Sequence, residues 1–228
     1  MARQTKDQLL SHLRRRILTL ELAPGEPLDE MKMSADLNIS RTPLRDIFRQ
    51  LEGEGYLLMR ENRGAYVSPM DHESMRHFFM TAPMIYASVS RLAARNADKD
   101  QIDHLAAIQQ KFRTAMMDKS VDGMTYFNDR FHFHIGVMAG NPYLMPSLQR
   151  LLIDHARIGQ AFWKDTGPEQ HQQINTACTH HDRFIEIIAA GDEEAAVALT
   201  LEHWALSKDH MDLYIMPEAL PADMIESA

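Results

Sequence analysis

The sequence predicts a mostly α-helical protein in two parts. Three helices closed by a short β-hairpin, a winged helix-turn-helix arrangement, are followed by an all-α helical bundle. Three observations carry this. Apolar residues recur at helical spacing over most of the chain. Two short β-like runs, 56–59 and 65–67, flank a turn sequence at 62–64. Charge and histidine both divide near residue 70. Residues 1–70 hold 11 Lys+Arg against 10 Asp+Glu, net +1, with His12 as their one histidine; residues 71–228 hold net −9 and 11 histidines.

In the first part, Leu9, Leu10, Leu13, Ile17, Leu18 and Leu20 line one face of a helix. Thr5 and Gln8 can open it as a capping box, and Ala23-Pro24-Gly25 stops it. A second helix over about 30–37 carries Met31, Met33, Ala35 and Leu37. Asn38-Ile39-Ser40 then leads tightly into a third, about 41–54, with Leu44, Ile47, Phe48 and Leu51 on its apolar face and Gly55 at its end. Asn62-Arg63-Gly64 suits the hairpin tip. Beyond residue 71, helices are predicted near 71–97, 99–118, 121–139, 143–164, 168–190 and 193–213. Pro83 is expected to kink or break the first of them. Pro217 and Pro221 mark a loose tail. The expected domains are therefore 1–70, 71–214 and a tail of 215–228.

Composition narrows the class further. The chain has 228 residues, 45% hydrophobic and 25% charged, enough for a buried core. No apolar stretch approaches the length of a membrane span, and the N-terminal residues lack the apolar run of a secretion signal, so a cytoplasmic protein without membrane contact is expected. Cys178 is the single cysteine, which excludes an intramolecular disulfide and a Cys-rich zinc finger. The net charge of −8 is not that of a broadly basic nucleic-acid binder. Any DNA contact must come from a few well-placed arginines.

Such arginines sit where a helix-turn-helix needs them. The second helix of that motif enters the major groove, N-terminal residues foremost. Here those residues are Ser40, Arg41, Thr42 and Arg45, with Arg49 one turn beyond. Hydroxyls and helix N-terminal amides hold phosphates, and arginine reads guanine bidentately. Pro43, early in the helix, costs little because its missing N–H would be unpaired there. Arg63 and Gly64 at the hairpin tip could reach the backbone or the minor groove. Spacing alone leaves a protein-interaction module open as the alternative.

The run SADLNISRTPLRDIFRQLEGEGYLLMRENRGAYVSPM resembles the winged helix-turn-helix of GntR-superfamily transcription regulators. Ser40-Arg41-Thr42-Pro43-Leu44-Arg45 and Asn62-Arg63-Gly64-Ala65-Tyr66-Val67 carry the likeness, over about residues 5–70. The resemblance implies operator contacts by Ser40, Arg41, Thr42, Arg45 and Gly64. One feature departs from it. The preceding helix commonly bears a Glu-Arg pair, which reads Glu30-Met31 here, with Lys32 as the nearest substitute.

The second part offers a different chemistry. Asn128 and His132 stand four residues apart, on one helical face. His181 aligns with the apolar Phe184, Ile185 and Ile188, and His203 with Leu199, Leu206 and His210. Three imidazoles and an oxygen donor converging from three helices suit a transition metal better than calcium or magnesium. His134 and His180 are rotated far from His132 and His181 on their helices, so each pair is expected to hold one inward and one outward ring. A lone inward histidine is more often a hydrogen-bonded core residue, and spacing alone leaves both readings open.

Residues 71–213 resemble the FCD effector domain of the FadR branch of that superfamily, chiefly in NDRFHFHIGVMAGNPYL and HDRFIEIIAAGDEEAAVALTLEHW. The resemblance implies a metal held by Asn128, His132, His181 and His203, zinc first, with nickel or manganese as alternatives. Many members have Asp at the first of these positions; Asn128 offers an amide oxygen without charge, and Asp129 is the fallback. The shell keeps open positions, which similar domains use for a carboxylate effector. The usual Glu of the first effector-domain helix is replaced by Tyr86, and the usual Arg is missing; Arg157 is the substitute expected at the pocket. Trp163 and Trp204 are read as core or pocket wall, the methionines as core packing, and Cys178 as a packed thiol.

The expected function is a ligand-responsive DNA-binding regulator, a repressor in such families. A homodimer would bind a pseudo-palindromic double-stranded operator under control of a small organic acid. A metal-responsive regulator is the alternative. A metal-dependent hydrolase stands further off, because no HExxH motif and no carboxylate paired with the cluster is present.

Overall fold

A computed structural model describes residues 5–206 apart from Asn62 and Asp165. The expected tail 215–228, the helix end 207–213 and His210 lie outside the described residues.

The N-terminal part builds as its apolar spacing directs. Helix α1 (Lys6–Leu18) opens on the Thr5/Gln8 capping box. It ends at Leu18, earlier than Ala23-Pro24-Gly25 suggested, because Leu20 turns into the left-handed region (φ 60°). A two-residue strand, β1 (Pro27–Leu28), leads into α2 (Glu30–Asp36), capped by the Asp29 carboxylate. Asn38 (φ 51°) makes the tight turn into α3 (Arg41–Gly53). Strands β2 (Leu57–Arg60) and β3 (Gly64–Val67) form the wing, with Leu57 opposite Val67 and Arg60 opposite Gly64. β1 joins the outer edge of β3, giving a three-stranded antiparallel sheet in the order β1-β3-β2. Leu10, Leu13, Ile17, Leu44, Ile47, Phe48, Leu51 and Leu57 close the core beneath it.

The second part is α-helical throughout its described residues: α4 (His72–Asn96), α5 (Lys99–Met117), α6 (Val121–Ala139), α7 (Leu144–Phe162), α8 (Pro168–Ala190) and α9 (Glu193–Ala205). Helix α4 runs unbroken through Pro83, so of the kink or break expected there the break does not occur. Ala82, Ile85, Tyr86 and Val89 are buried on either side of the proline, and packing against α6, α7 and α9 holds the helix together. Helices α6 and α7 approach closely at Gly136, where a Cβ would come within 2.3 Å of Leu148. That approach brings the His132 face of α6 against α7.

The two parts are joined by buried polar contacts. Ser68, in the linker, donates its hydroxyl to the Gly55 carbonyl (2.7 Å), and its own carbonyl accepts from Arg157 Nη1 (2.6 Å). Arg157 is completely buried beside Asp154, which also accepts from Arg150 at 3.0 Å. Leu18 and Tyr56 pack on Ile153 and Ala156 of α7 at the same junction.

Candidate functional site

The structure shows two candidate surfaces, one in each part. At the start of α3 the residues Ser40, Arg41, Thr42, Arg45 and Arg49 are all exposed, as is Arg63 beside the wing tip. Ser40 occupies the N-cap without a side-chain cap bond, and no acidic residue sits in the first turn. The N-terminal amides and their positive dipole end thus face outward with the arginines. Gly64 has φ 82° and open space where a side chain would stand. It therefore bends the wing sharply and leaves room for a close backbone approach.

Glu30 acquires a role that its sequence position did not indicate. Its carboxylate accepts from Arg41 at 3.3 Å and Arg45 at 2.9 Å, holding both guanidinium groups on one side of α3. Lys32 is exposed on α2 nearby.

In the helical part, His132 on α6, His181 on α8 and His203 on α9 converge. Each can offer one ring nitrogen such that all three lie within 4.8 Å of one another. Asn128 lies one turn before His132, buried like it. Four buried atoms here have no hydrogen-bond partner: Asn128 Oδ1, His132 Nε2, His181 Nε2 and His203 Nδ1. Leaving one such group unsatisfied costs about 1–3 kcal/mol, so four together point to something that completes them. An amide oxygen and three imidazole nitrogens form a donor set that fits a divalent transition metal.

Their electronic state suits the same role. Burial pushes the His132 and His203 pKa values well below the usual histidine range, with the neighbouring rings adding to the effect. Burial likewise brings His181 down to about 3. Neutral rings keep a lone pair for coordination. The geometry settles which nitrogen of His181 has it. Gln109 Nε2 donates to the Cys178 carbonyl (2.9 Å) and to Asp182 (3.1 Å), so its Oε1 is the acceptor facing His181 Nδ1 at 3.0 Å. Nδ1 therefore carries the proton, and Nε2 points its lone pair into the cluster. Phe131 stacks on the same ring, 4.1 Å between centroids.

His155 and Gln109 were not anticipated from the sequence. His155 follows Leu148, Leu151 and Leu152 on the apolar stripe of α7, which was the available signal. Its ring lies 5.2 Å from His132, and Nδ1 is 2.9 Å from the Tyr86 hydroxyl. Burial lowers its pKa to about 4. Tyr86 therefore does stand at the cluster, its ring 5.6 Å from His132 and 5.7 Å from Trp204. Arg157 departs from its expected place at the pocket, because Asp154 and the Ser68 carbonyl hold its guanidinium at the domain junction.

Asp129 faces away from the cluster, into a cleft of about 510 Å³ between α1 and α6, where Arg130 pairs with it at 2.9 Å. His134 turns to the Gln101 carbonyl, outside the cluster. His180 is not the outward ring that its helical offset suggested. It is 3% exposed, packed near His203 with Nε2 3.2 Å from Glu202. A cavity of about 20 Å³ adjoins the cluster, with Asn128, His155, Ile158, Phe162, Trp163 and His203 on its wall.

Comparison with known proteins now places the chain. Residues 5–67 match the model of the gntR family of bacterial regulatory proteins, and residues 84–206 match the FCD domain. The chain belongs to the GntR family, with an FCD domain. The HTH-type transcriptional repressor RspR of Escherichia coli is 32% identical over 180 residues, 77% of this chain and 79% of the relative. The Nta operon transcriptional regulator of Aminobacter aminovorans is 25% identical over 183 residues, 79% and 81% of the two chains. The structure of E. coli McbR/YncC shares the fold, with a TM-score of 0.76 at 16% identity over 93% of this chain and 99% of that one. A GntR regulator from Rhodococcus aligns with a TM-score of 0.69 at 17% identity, over 94% and 99% of the two chains. The domains and relatives are those of DNA-binding transcription regulators and not of enzymes. No described helix is long and apolar enough to cross a membrane.

Proposed function

We propose that this GntR-family protein is a ligand-responsive repressor that binds a pseudo-palindromic operator as a homodimer. Its FCD domain senses a small organic acid at a divalent metal, with zinc the first choice and nickel or manganese the alternatives. The observation that carries the DNA reading is the exposed row Arg41, Arg45 and Arg49, which starts at the bare N-terminus of α3 and runs along the helix. Arg45 would face base edges, with Ser40 and Thr42 on phosphates and Arg63 and Gly64 along the adjoining backbone. Glu30 would release Arg41 and Arg45 as DNA oxygens replace its carboxylate. The name of RspR as a repressor supports the direction of regulation.

In the FCD domain, Asn128, His132, His181 and His203 would hold the ion, and Gln109 would orient His181 toward it. A bound ion would supply a positive centre for an effector carboxylate. Tyr86 and His155 would form the wall beside that carboxylate, in place of the arginine that the family pattern leads one to expect. An effector acts only through unequal affinity for the DNA-competent and DNA-incompetent states. One observation favours a metal-responsive regulator as the second reading: the adjoining cavity of about 20 Å³ has room for about one water. Operator affinity that responds to metal with no organic acid would decide for it.

The DNA reading is tested with Arg45→Ala in a gel-shift titration, on a fragment selected from a random pool by the full chain. Loss of a bidentate base contact lowers affinity by about 1–3 kcal/mol, roughly 5- to 150-fold. The variant should keep the wild-type melting temperature. Unchanged operator affinity in the folded variant contradicts the assigned role.

A further inference from the structure

The cleft between α1 and α6 has no part in the function argued above. Its two long walls follow the same spacing. Ser11, Arg14, Arg15 and Leu18 stand at positions i, i+3, i+4 and i+7 of α1, so they share one helical face. Tyr126, Asp129, Arg130 and Phe133 repeat that spacing on α6, across the cleft. Leu152 of α7 and Tyr56, just beyond α3, add further apolar surface. The space of about 510 Å³ falls within the usual range of small-molecule sites, which favour domain interfaces.

The charges on these walls select the ligand. Glu54 accepts from Arg14 through both Nε (2.8 Å) and Nη2 (2.6 Å). Asp129 accepts from Arg130 through Nε (3.1 Å) and Nη2 (2.9 Å), and the same guanidinium lies 4.5 Å from the centre of the Phe133 ring. Two of the cleft's arginines are therefore neutralised and held in place. Arg15 is exposed there, and no carboxylate among the described residues pairs with it. A cationic ligand would meet this surplus guanidinium. A phosphate or a nucleotide would bring its second negative charge against Glu54 and Asp129. One negative charge is what the walls balance. Tyr56, Tyr126 and Phe133 supply aromatic rings, which suit a flat apolar body.

We propose that the α1–α6 cleft is a second ligand site, which binds an aromatic monocarboxylate without any metal. The carboxylate pairs with Arg15 while the ring packs against Tyr126 and Phe133. Arg14 and Arg130 stay with their own carboxylates. Because α1 belongs to the DNA-binding part and α6 to the helical part, the occupant ties the two together.

The probe is 2-naphthoate, titrated into the full chain by calorimetry at pH 7.5 in a chelator that leaves the histidine cluster without metal. One naphthoate should bind per chain. Arg15→Gln should weaken it by about tenfold, the worth of one charge-assisted hydrogen bond. Tyr126→Ala should weaken it by about 2- to 12-fold, the worth of an aromatic pair. Both side chains are exposed, so both variants should keep the wild-type melting temperature. The neutral 2-naphthamide should bind more weakly than naphthoate to wild type, and equally to wild type and Arg15→Gln. No naphthoate binding at millimolar concentration overturns the proposal, as does binding that a folded Arg15→Gln leaves unchanged. Binding that appears only with added zinc also overturns it, because the anion then belongs to the histidine cluster.

Discussion

Asp154→Ala is expected to destabilise the protein by about 3–5 kcal/mol, because it removes the carboxylate facing a buried guanidinium. Arg157 is 0% exposed, and Asp154 shares the interior with it. The loss reaches beyond α7. Arg157 also donates to the Ser68 carbonyl, and Ser68 is tied to Gly55 of the DNA-binding part, so the junction between the two parts loosens. Urea unfolding should show the midpoint moving down. Replacing both members of the pair, Asp154→Leu with Arg157→Met, should recover much of the stability, since no buried charge is then stranded. A single variant as stable as wild type would show that the pair does not hold the junction.

Acid is expected to unfold the metal-free protein well above the range of carboxylate titration. The cause is the group of buried rings. His155 and His181 are lowered to about 4 and about 3 from an ordinary value of 6.5, and His132 and His203 are lowered too. Above about pH 6.5 both folded and unfolded states hold these rings neutral, and stability is at its plateau. As pH falls below that value the unfolded chain takes up protons that the folded core refuses. Stability therefore drops, and continues to drop until each folded pKa is reached. The slope is about 1.4 kcal/mol per pH unit for each such ring, so a few kcal/mol are lost by pH 5. Melting temperatures measured in chelator from pH 7.5 to 5 should fall steeply. A flat profile over that range would mean that the rings are not buried as neutral groups.

The fold was largely legible because most of it rests on local apolar spacing. The Leu9–Ile17 and Leu44–Leu51 faces and the long helices of the second part each declare a period within one segment. β1 was not legible, since two residues, Pro27 and Leu28, carry no period and become a strand only by pairing with β3. Pro83 left two outcomes open, a kink or a break, because its local cost is visible in the sequence whereas the packing that carries α4 past it is not. At the cluster, Asn128, His132, His181 and His203 could be marked by helical face and by family resemblance. Gln109 and His155 could not, because their partners lie far off in sequence: 72 residues separate Gln109 from His181, and 69 separate His155 from Tyr86. Arg157, the substitute expected at the pocket, lies instead at the junction of the two parts. The carboxylate that claims it, Asp154, is on the same helix, but the Ser68 carbonyl that completes the junction is 89 residues away.

Occupancy of the histidine cluster is expected to be linked to grip on DNA. That linkage is measured by titrating the selected operator fragment with wild type and His181→Ala, each with and without zinc plus acetate. Wild-type operator affinity should change by about 5- to 150-fold when both are added, and His181→Ala should bind the operator with no such change. Wild-type affinity that stays constant, in a protein shown to carry both zinc and acetate, would contradict it.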